Sequence, residues 1–314
     1  MLVESAAMSQ ADPHALAVPA LFRDALLESQ GERAREWLNR LPEIVTGLLE
    51  RWSCEIAGPT MSGWAGVVVP VRRLDGSGAM VKISPPYDVP QFEATTLATW
   101  AGRGAVLLWE RDEENAAMLL EQLRPESLTT VPDADEAMTI IGRLARRLAV
   151  PAPPELPRME PVFEQWAIEL PAMSAAAGHP LPARVVDAAI ATCAELGPGQ
   201  PDTVQHGDLN QSNVLRGTRE DWLAIDPLGY VGDIAFECLT HLRDRWTELR
   251  DLSDPEQALR RRIDIFADAA EIDVARALRW TQARAVQSSL RMGPTEGPRD
   301  VGGVHDWMAT TLAD

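Results

Sequence analysis

The sequence is nearly without lysine. Of its 29 basic residues one is lysine, Lys82, and the rest are arginine. Most exposed cation positions accept either residue. A position that needs a compact ammonium does not accept the broad, planar guanidinium. Lys82 is therefore a functional candidate before any motif is considered. Cysteine is scarce as well. Cys54, Cys193 and Cys238 lie far apart with no CxxC pair, and they read as reduced, partly buried thiols. Apolar runs long enough to cross a bilayer are missing. No basic start followed by an apolar stretch opens the chain, and Glu4 comes early. The expectation is a cytoplasmic protein with no membrane partner. Positive charge is also lacking: the formal net charge is -18 over 314 residues. That argues against nucleic acid, whose phosphates bind basic patches. It suits a cationic small molecule, which an acidic cleft attracts.

The periodicity changes along the chain. Residues 1–19 read as frayed. Leu21 to Trp52 reads as helix, punctuated by Gly31 and Pro42. Strands are expected at 54–58, 65–72 and 79–83, with Asp75-Gly76-Ser77-Gly78 as a turn. Asp88 is placed to cap a helix that starts near Val89 with Pro90 in its first turn, and Glu93, Leu97 and Trp100 recur on one of its faces. Two more strands are expected at 106–110 and 117–121. Beyond Leu123 the chain becomes helical, with an apolar stripe at Ala137, Ile141, Leu144 and Leu148. A loop rich in proline (Pro151 to Pro157) interrupts it. Short strand-and-loop pieces follow at 204–215 and 222–226, and 234–290 reads as helix. The expected fold class is α+β: a small β-rich N-terminal lobe (1–122) and a larger α-helical C-terminal lobe (123–314), with a cleft between them for a ligand.

The residues that carry chemistry are concentrated in His206-Gly207-Asp208-Leu209-Asn210-Gln211-Ser212-Asn213, of the form H-x-D-x-x-x-x-N. Asp226 follows at the end of an apolar strand. The spacing is that of the protein-kinase catalytic loop. Phosphoryl transfer asks for alignment and for positive charge on the phosphate oxygens. Asp208 suits the base, and Asn213 and Asp226 suit oxygen ligands of Mg2+. Lys82, on the third strand, suits a clamp on the phosphates of ATP, with Glu93 as its partner. Two of the four asparagines of the chain fall in this loop. Glu121 and Leu123 are candidates for the adenine edge, against an ordinary strand end. Ser62, Gly63 and Gly66 would cover the phosphates, although no full G-x-G-x-x-G is present. Trp64 is a candidate for stacking over nucleotide or substrate. His14, His179 and His305 show no metal spacing.

His206-Gly207-Asp208-Leu209, Asn213-Val214-Leu215, the segment 222–227 and Val231-Gly232-Asp233 together resemble the aminoglycoside phosphotransferase superfamily. Glu36-Trp37-Leu38, the segment 68–71 and Met118-Leu119-Leu120-Glu121 resemble its streptomycin 6-kinase and hydroxyurea kinase branch. The resemblance spans roughly 22–290. It implies a bilobal protein-kinase-like fold, ATP and Mg2+ as cofactors, and O-phosphorylation of a small, cationic, streptomycin-like substrate, hence antibiotic inactivation. Asn210 and Glu237 are the candidate substrate residues, with Asp233 and Asp244 also considered. His206 and Asp233 are expected to give structural support. Many antibiotic kinases carry histidine where Asn210 stands. The alternatives are a kinase of hydroxyurea or another small metabolite, and a non-catalytic nucleotide-binding pseudokinase. A protein substrate is disfavoured, because Asp226 runs through Pro227 and Gly232 into helix with no long activation segment.

Overall fold

A computed structural model describes residues 16–63, 66–86, 92–178, 180–292 and 301–313. The chain divides into two compact units. The first takes residues up to Pro90 together with Leu107–Gln122, and the second takes Gln91–Val106 and Leu123–Asp314.

The first unit is a sheet backed by a helix. Helices α1 (Ala20–Gln30) and α2 (Glu32–Trp52) meet at Gly31, whose φ of 58° is a left-handed turn that glycine adopts without penalty. Gly31 thus breaks the helix as expected. Pro42 does not: it stays inside α2, and its carbonyl accepts from the Thr46 hydroxyl at 2.9 Å. The strands are β1 (Cys54–Ile56), β2 (Met61–Ser62), β3 (Val67–Arg73), β4 (Gly78–Ile83), β5 (Leu108–Asp112) and β6 (Ala117–Glu121). They pair antiparallel in the order β1-β3-β4-β6-β5, with β2 added to β3. Trp37, Leu41, Val45 and Leu48 recur on one face of α2. They pack on the alternate residues Val67, Val69 and Val71 of β3 and Ala79, Val81 and Ile83 of β4. Truncating a side chain such as Leu41 to Ala in such a core costs about 2–5 kcal/mol. Pro70 sits inside β3 although it cannot donate to a ladder. It is tolerated because β1 has ended at Ile56 and β2 pairs only with Val67 and Val68. The β5–β6 turn is tied down by Asp112, which accepts from the Asn115 amide and pairs with Arg51 of α2.

The second unit is mostly helical: α3 (Glu93–Trp100), α4 (Ala134–Leu148), α5 (Glu160–Ala176), α6 (Ala183–Leu196), α7 (Cys238–Asp244), α8 (Trp246–Arg250), α9 (Pro255–Ala270), α10 (Val274–Met292) and α11 (Val301–Thr311). Phe163, Phe236 and Trp280 form an aromatic core, with centroids 4.2 to 6.0 Å apart. Two small antiparallel ribbons interrupt the helices. One pairs β7 (Val204–Gln205) with β10 (Tyr230–Val231), and the other pairs β8 (Val214–Arg216) with β9 (Trp222–Ala224).

The cut between Gln122 and Leu123 is where the sequence placed it, and the difference is segment 91–106. Segment 91–106 belongs with the second unit because its bonds lie there. The Trp100 indole donates to Leu148 O at 2.8 Å and stacks on His206. Val106 N donates to Ala224 O at 2.9 Å, and Arg219 reaches the carbonyls of Gly102 and Ala105. For the same reason the strand expected at 106–110 is shifted to Leu108–Asp112. The expected cap Asp88, with Val89 and Pro90, lies outside the described residues, as do Trp64, His14 and His179. No helix among the described residues is long and apolar enough to cross a membrane.

Candidate active site

The β8–β9 ribbon sets the frame. Val214 pairs with Ala224, so Asn213, just before β8, and Asp226, just after β9, come to the same end. Ile225 N donates to Asn213 O at 2.9 Å and closes that end. Asp226 is held at φ 56°, a left-handed conformation that costs a non-glycine residue about 1–3 kcal/mol and tends to occur at functional sites.

The loop 206–213 is wired from inside. Asp208 is partly exposed. Its Oδ2 accepts from Asn210 Nδ2 at 3.1 Å and from Asn213 Nδ2 at 3.5 Å. Asn213 Nδ2 also donates to Asp208 O at 2.9 Å. The amide of Asn213 therefore faces Asp208, and its Oδ1 is turned the other way. An amide oxygen and one carboxylate make a sparse oxygen donor set. That fits Mg2+, which keeps waters and takes substrate oxygens to complete its shell. Among the described residues no group of three or more His, Cys, Asp or Glu could hold a metal by itself, so a protein-only cage of the zinc kind is not built here.

His206 is fully buried and braces both aspartates. Its Nδ1 accepts from Asp208 N at 3.3 Å, so Nε2 carries the proton and donates to Ile225 O at 2.8 Å. Burial, foremost, holds the imidazole below its ordinary range, against the pull of Glu237. The carbonyl of His206 accepts from Leu228 N and Gly229 N.

Two residues expected near substrate are engaged with the loop itself. Glu237 was expected to meet substrate. It is 1% exposed, and its carboxylate accepts from Gly207 N at 2.6 Å and Leu209 N at 3.4 Å. A carboxylate so placed braces the loop backbone and has no face for a ligand. Asn210 was also expected near substrate. Its Nδ2 is given to Asp208, and its Oδ1 accepts from Ser212 Oγ at 2.6 Å and Asn213 N at 3.0 Å, so it caps the 3-10 turn that carries Asn213. Sequence reading missed the pattern behind this. Glu237, Thr240 and Asp244 lie three and seven residues apart on one helical face. Thr240 donates to Leu209 O at 3.1 Å, and Asp244 accepts from Gln211 N at 2.7 Å. Burial raises the Asp244 carboxyl, opposed by that amide. Asp233 stands apart from the loop. It caps the turn at Ile234–Glu237 through Ala235 N, and it takes Arg276 and the Trp280 indole.

In the first unit Lys82 lies on β4 opposite Val68 and Met118 and is 4% exposed. Gly66 packs against β4, where an added Cβ would stand 2.5 Å from Ile83 O. That close approach explains the glycine without any ligand. Gly63 N donates to Gly66 O at 3.0 Å, and Ser62 is exposed at the end of β2. Glu121 ends β6, with its Oε2 accepting from Leu107 N at 3.1 Å. Leu123 opens the next stretch of the second unit, and Glu93, 2% exposed, begins α3 there. The cysteines are buried thiols, with Cys193 pushed up to about 11 and Cys238 to about 12 by burial.

This geometry can be set beside known proteins. The chain is 36% identical to a streptomycin 6-kinase of Streptomyces griseus, over 87% of this chain and 90% of that one. It is 34% identical to a hydroxyurea phosphotransferase of Kitasatospora aureofaciens, over 87% of this chain and 79% of that one. The crystal structure of choline kinase LicA from Streptococcus pneumoniae superposes with a TM-score of 0.55 at 14% identity, covering 87% of this chain and 99% of that one. The fold is thus that of the protein-kinase-like small-molecule kinases. The family profile of the aminoglycoside/hydroxyurea antibiotic resistance kinases matches residues 51–295, and the chain belongs to that family.

Proposed function

We propose that this kinase transfers the terminal phosphate of ATP to a hydroxyl of a cationic, streptomycin-like aminoglycoside, with Asp208 as the base. The observation that carries the chemistry is the hold on Asp208. Two amide groups fix one carboxylate oxygen, while the side chain keeps an exposed face toward an acceptor. A carboxylate so held can orient a hydroxyl and accept its proton. Asn213 Oδ1 and the Asp226 carboxylate would hold Mg2+, which when bound supplies positive charge against the phosphate oxygens. Lys82 would take the ATP phosphates with Glu93 in support. Ser62, Gly63 and Gly66 would cover those phosphates, and Glu121 and Leu123 would meet the adenine. Net charge -18 favours a cation as acceptor, and similarity to the streptomycin 6-kinase supports the same class.

The second reading is hydroxyurea, supported by the hydroxyurea phosphotransferase relative. One experiment separates them. The protein is incubated with Mg2+, ATP and either compound, and the product is weighed by mass spectrometry. One added phosphate on streptomycin is the expected result. Transfer to hydroxyurea alone replaces the first reading by the second. Transfer to neither, with ATP bound, overturns both.

A further inference from the structure

We infer that Arg284 is a positioning residue for Asp208, acting with Glu237 through Gly207. The inference rests on the reading of Asp208 as base. Gly207 delivers the chain to Asp208 at φ 87°, and an added Cβ would stand 2.7 Å from the Tyr230 ring. Only glycine fits, and glycine is the residue with the most backbone freedom. The entry to the base therefore needs fixing from outside. It is fixed on both sides. Gly207 N donates to Glu237 at 2.6 Å, and Gly207 O accepts from Arg284 Nη2 at 3.1 Å.

Arg284 comes from α10, far along the chain. Its second arm, Nη1, donates to Phe236 O at 2.8 Å, and its guanidinium lies 4.4 Å over the Phe236 ring. One planar fork thus joins the glycine before the base to the residue before Glu237. Lysine offers a single point of donation and cannot span both carbonyls. The cation also lies near Glu237 and Asp208, both of which favour its charged form against burial. It offsets the charge of a carboxylate that has backbone amides for partners. Removing it leaves Gly207 O and Phe236 O without their donor and the Glu237 charge less compensated.

The test compares Arg284→Met, Arg284→Lys and Asp208→Asn in the full chain. The readouts are kcat, KM for both substrates, and phosphate release from ATP and Mg2+ in water, which needs no acceptor. Arg284→Met should lower kcat about 100-fold, the order of a 1 Å misplacement, with each KM within about two-fold. Arg284→Lys should recover part of the loss. In the Asp208→Asn background, Arg284→Met should cost nothing further, because what it positions is gone. An unchanged kcat, a loss in KM instead, or an equal further loss in that background overturns the inference. Should Arg284→Met not fold, Arg284→Lys and Glu237→Asp carry the same comparison. Full turnover by Asp208→Asn would overturn the base assignment itself, whereas a dead Asp208→Asn beside a fully active Arg284→Met overturns the inference alone.

Discussion

Two aspartates at the site are placed by different means. Asp208 is positioned by side chains: Asn210 and Asn213 hold its carboxylate, and His206 receives its amide. Asp226 is held at φ 56°, next to Ile225, whose amide donates to Asn213 O and whose carbonyl accepts from His206 Nε2. Side-chain wiring can be cut one bond at a time, so it grades an effect. A strained backbone holds only while its neighbours overdetermine it. The difference teaches which group tolerates change. Asp208 should respond to single substitutions among the side chains that hold it, and Asp226 to changes at the ends of its ribbon.

The largest effect separates the two directly. Asp208→Asn should cut kcat by about 10² to 10⁴-fold with ATP affinity retained in the presence of Mg2+, measured by calorimetry. Asp226→Asn should weaken that affinity as well. Equal loss of binding in both variants would erase the distinction. Next is His206→Leu, which removes the partner of Asp208 N and of Ile225 O, the residue before Asp226. It should destabilise by about 1–3 kcal/mol for each polar group left unpaired, read by urea unfolding, and lower kcat. If Mg2+-dependent binding stayed intact in this variant, Asp226 would be independent of the histidine. Smaller is Asp226→Gly, which relieves the left-handed residue and should raise stability by about 1 kcal/mol while abolishing Mg2+-dependent binding. A drop in stability would mean that side-chain bonds, not backbone strain, dominate there.

The mildest effect is on pH dependence. Burial lowers both His206 and His241, so the unfolded chain binds their protons first. The stability they give is present above about pH 6.5 and is lost as pH falls through their folded values. The melting temperature should therefore fall on acidification below that point. His241→Leu should flatten the fall, since neither ring nitrogen of His241 has a hydrogen-bond partner among the described residues. Asp244, raised by burial, acts in the opposite sense: the folded chain binds its proton first, so its contribution grows on acidification.

The loop geometry was legible because the kinase pattern restricts both residue type and spacing, and Asp208 and Asn213 are brought together. The direction in which a carboxylate faces was not legible. Glu237 read as a ligand for a cation, yet its partners are two amides some thirty positions earlier. The spacing of 237, 240 and 244 held that signal: Glu237 and Thr240 are buried polar residues and need polar partners. Arg284 gave no signal at all: one arginine among many on a helix reads as surface. Pairings set by distant residues were equally silent. Val106 left its expected strand for Ala224, and β10 is two residues long, too short for any periodicity.

The solitary lysine has a practical consequence. The chain carries one ε-amino group, and it is 4% exposed on a central strand. Amine-selective reagents are thus turned into a one-channel reporter. Apart from the chain terminus, every modification they leave marks a moment when β4 was uncovered. The rate of that labelling, with and without nucleotide, would measure the local opening of the first unit without any engineered probe.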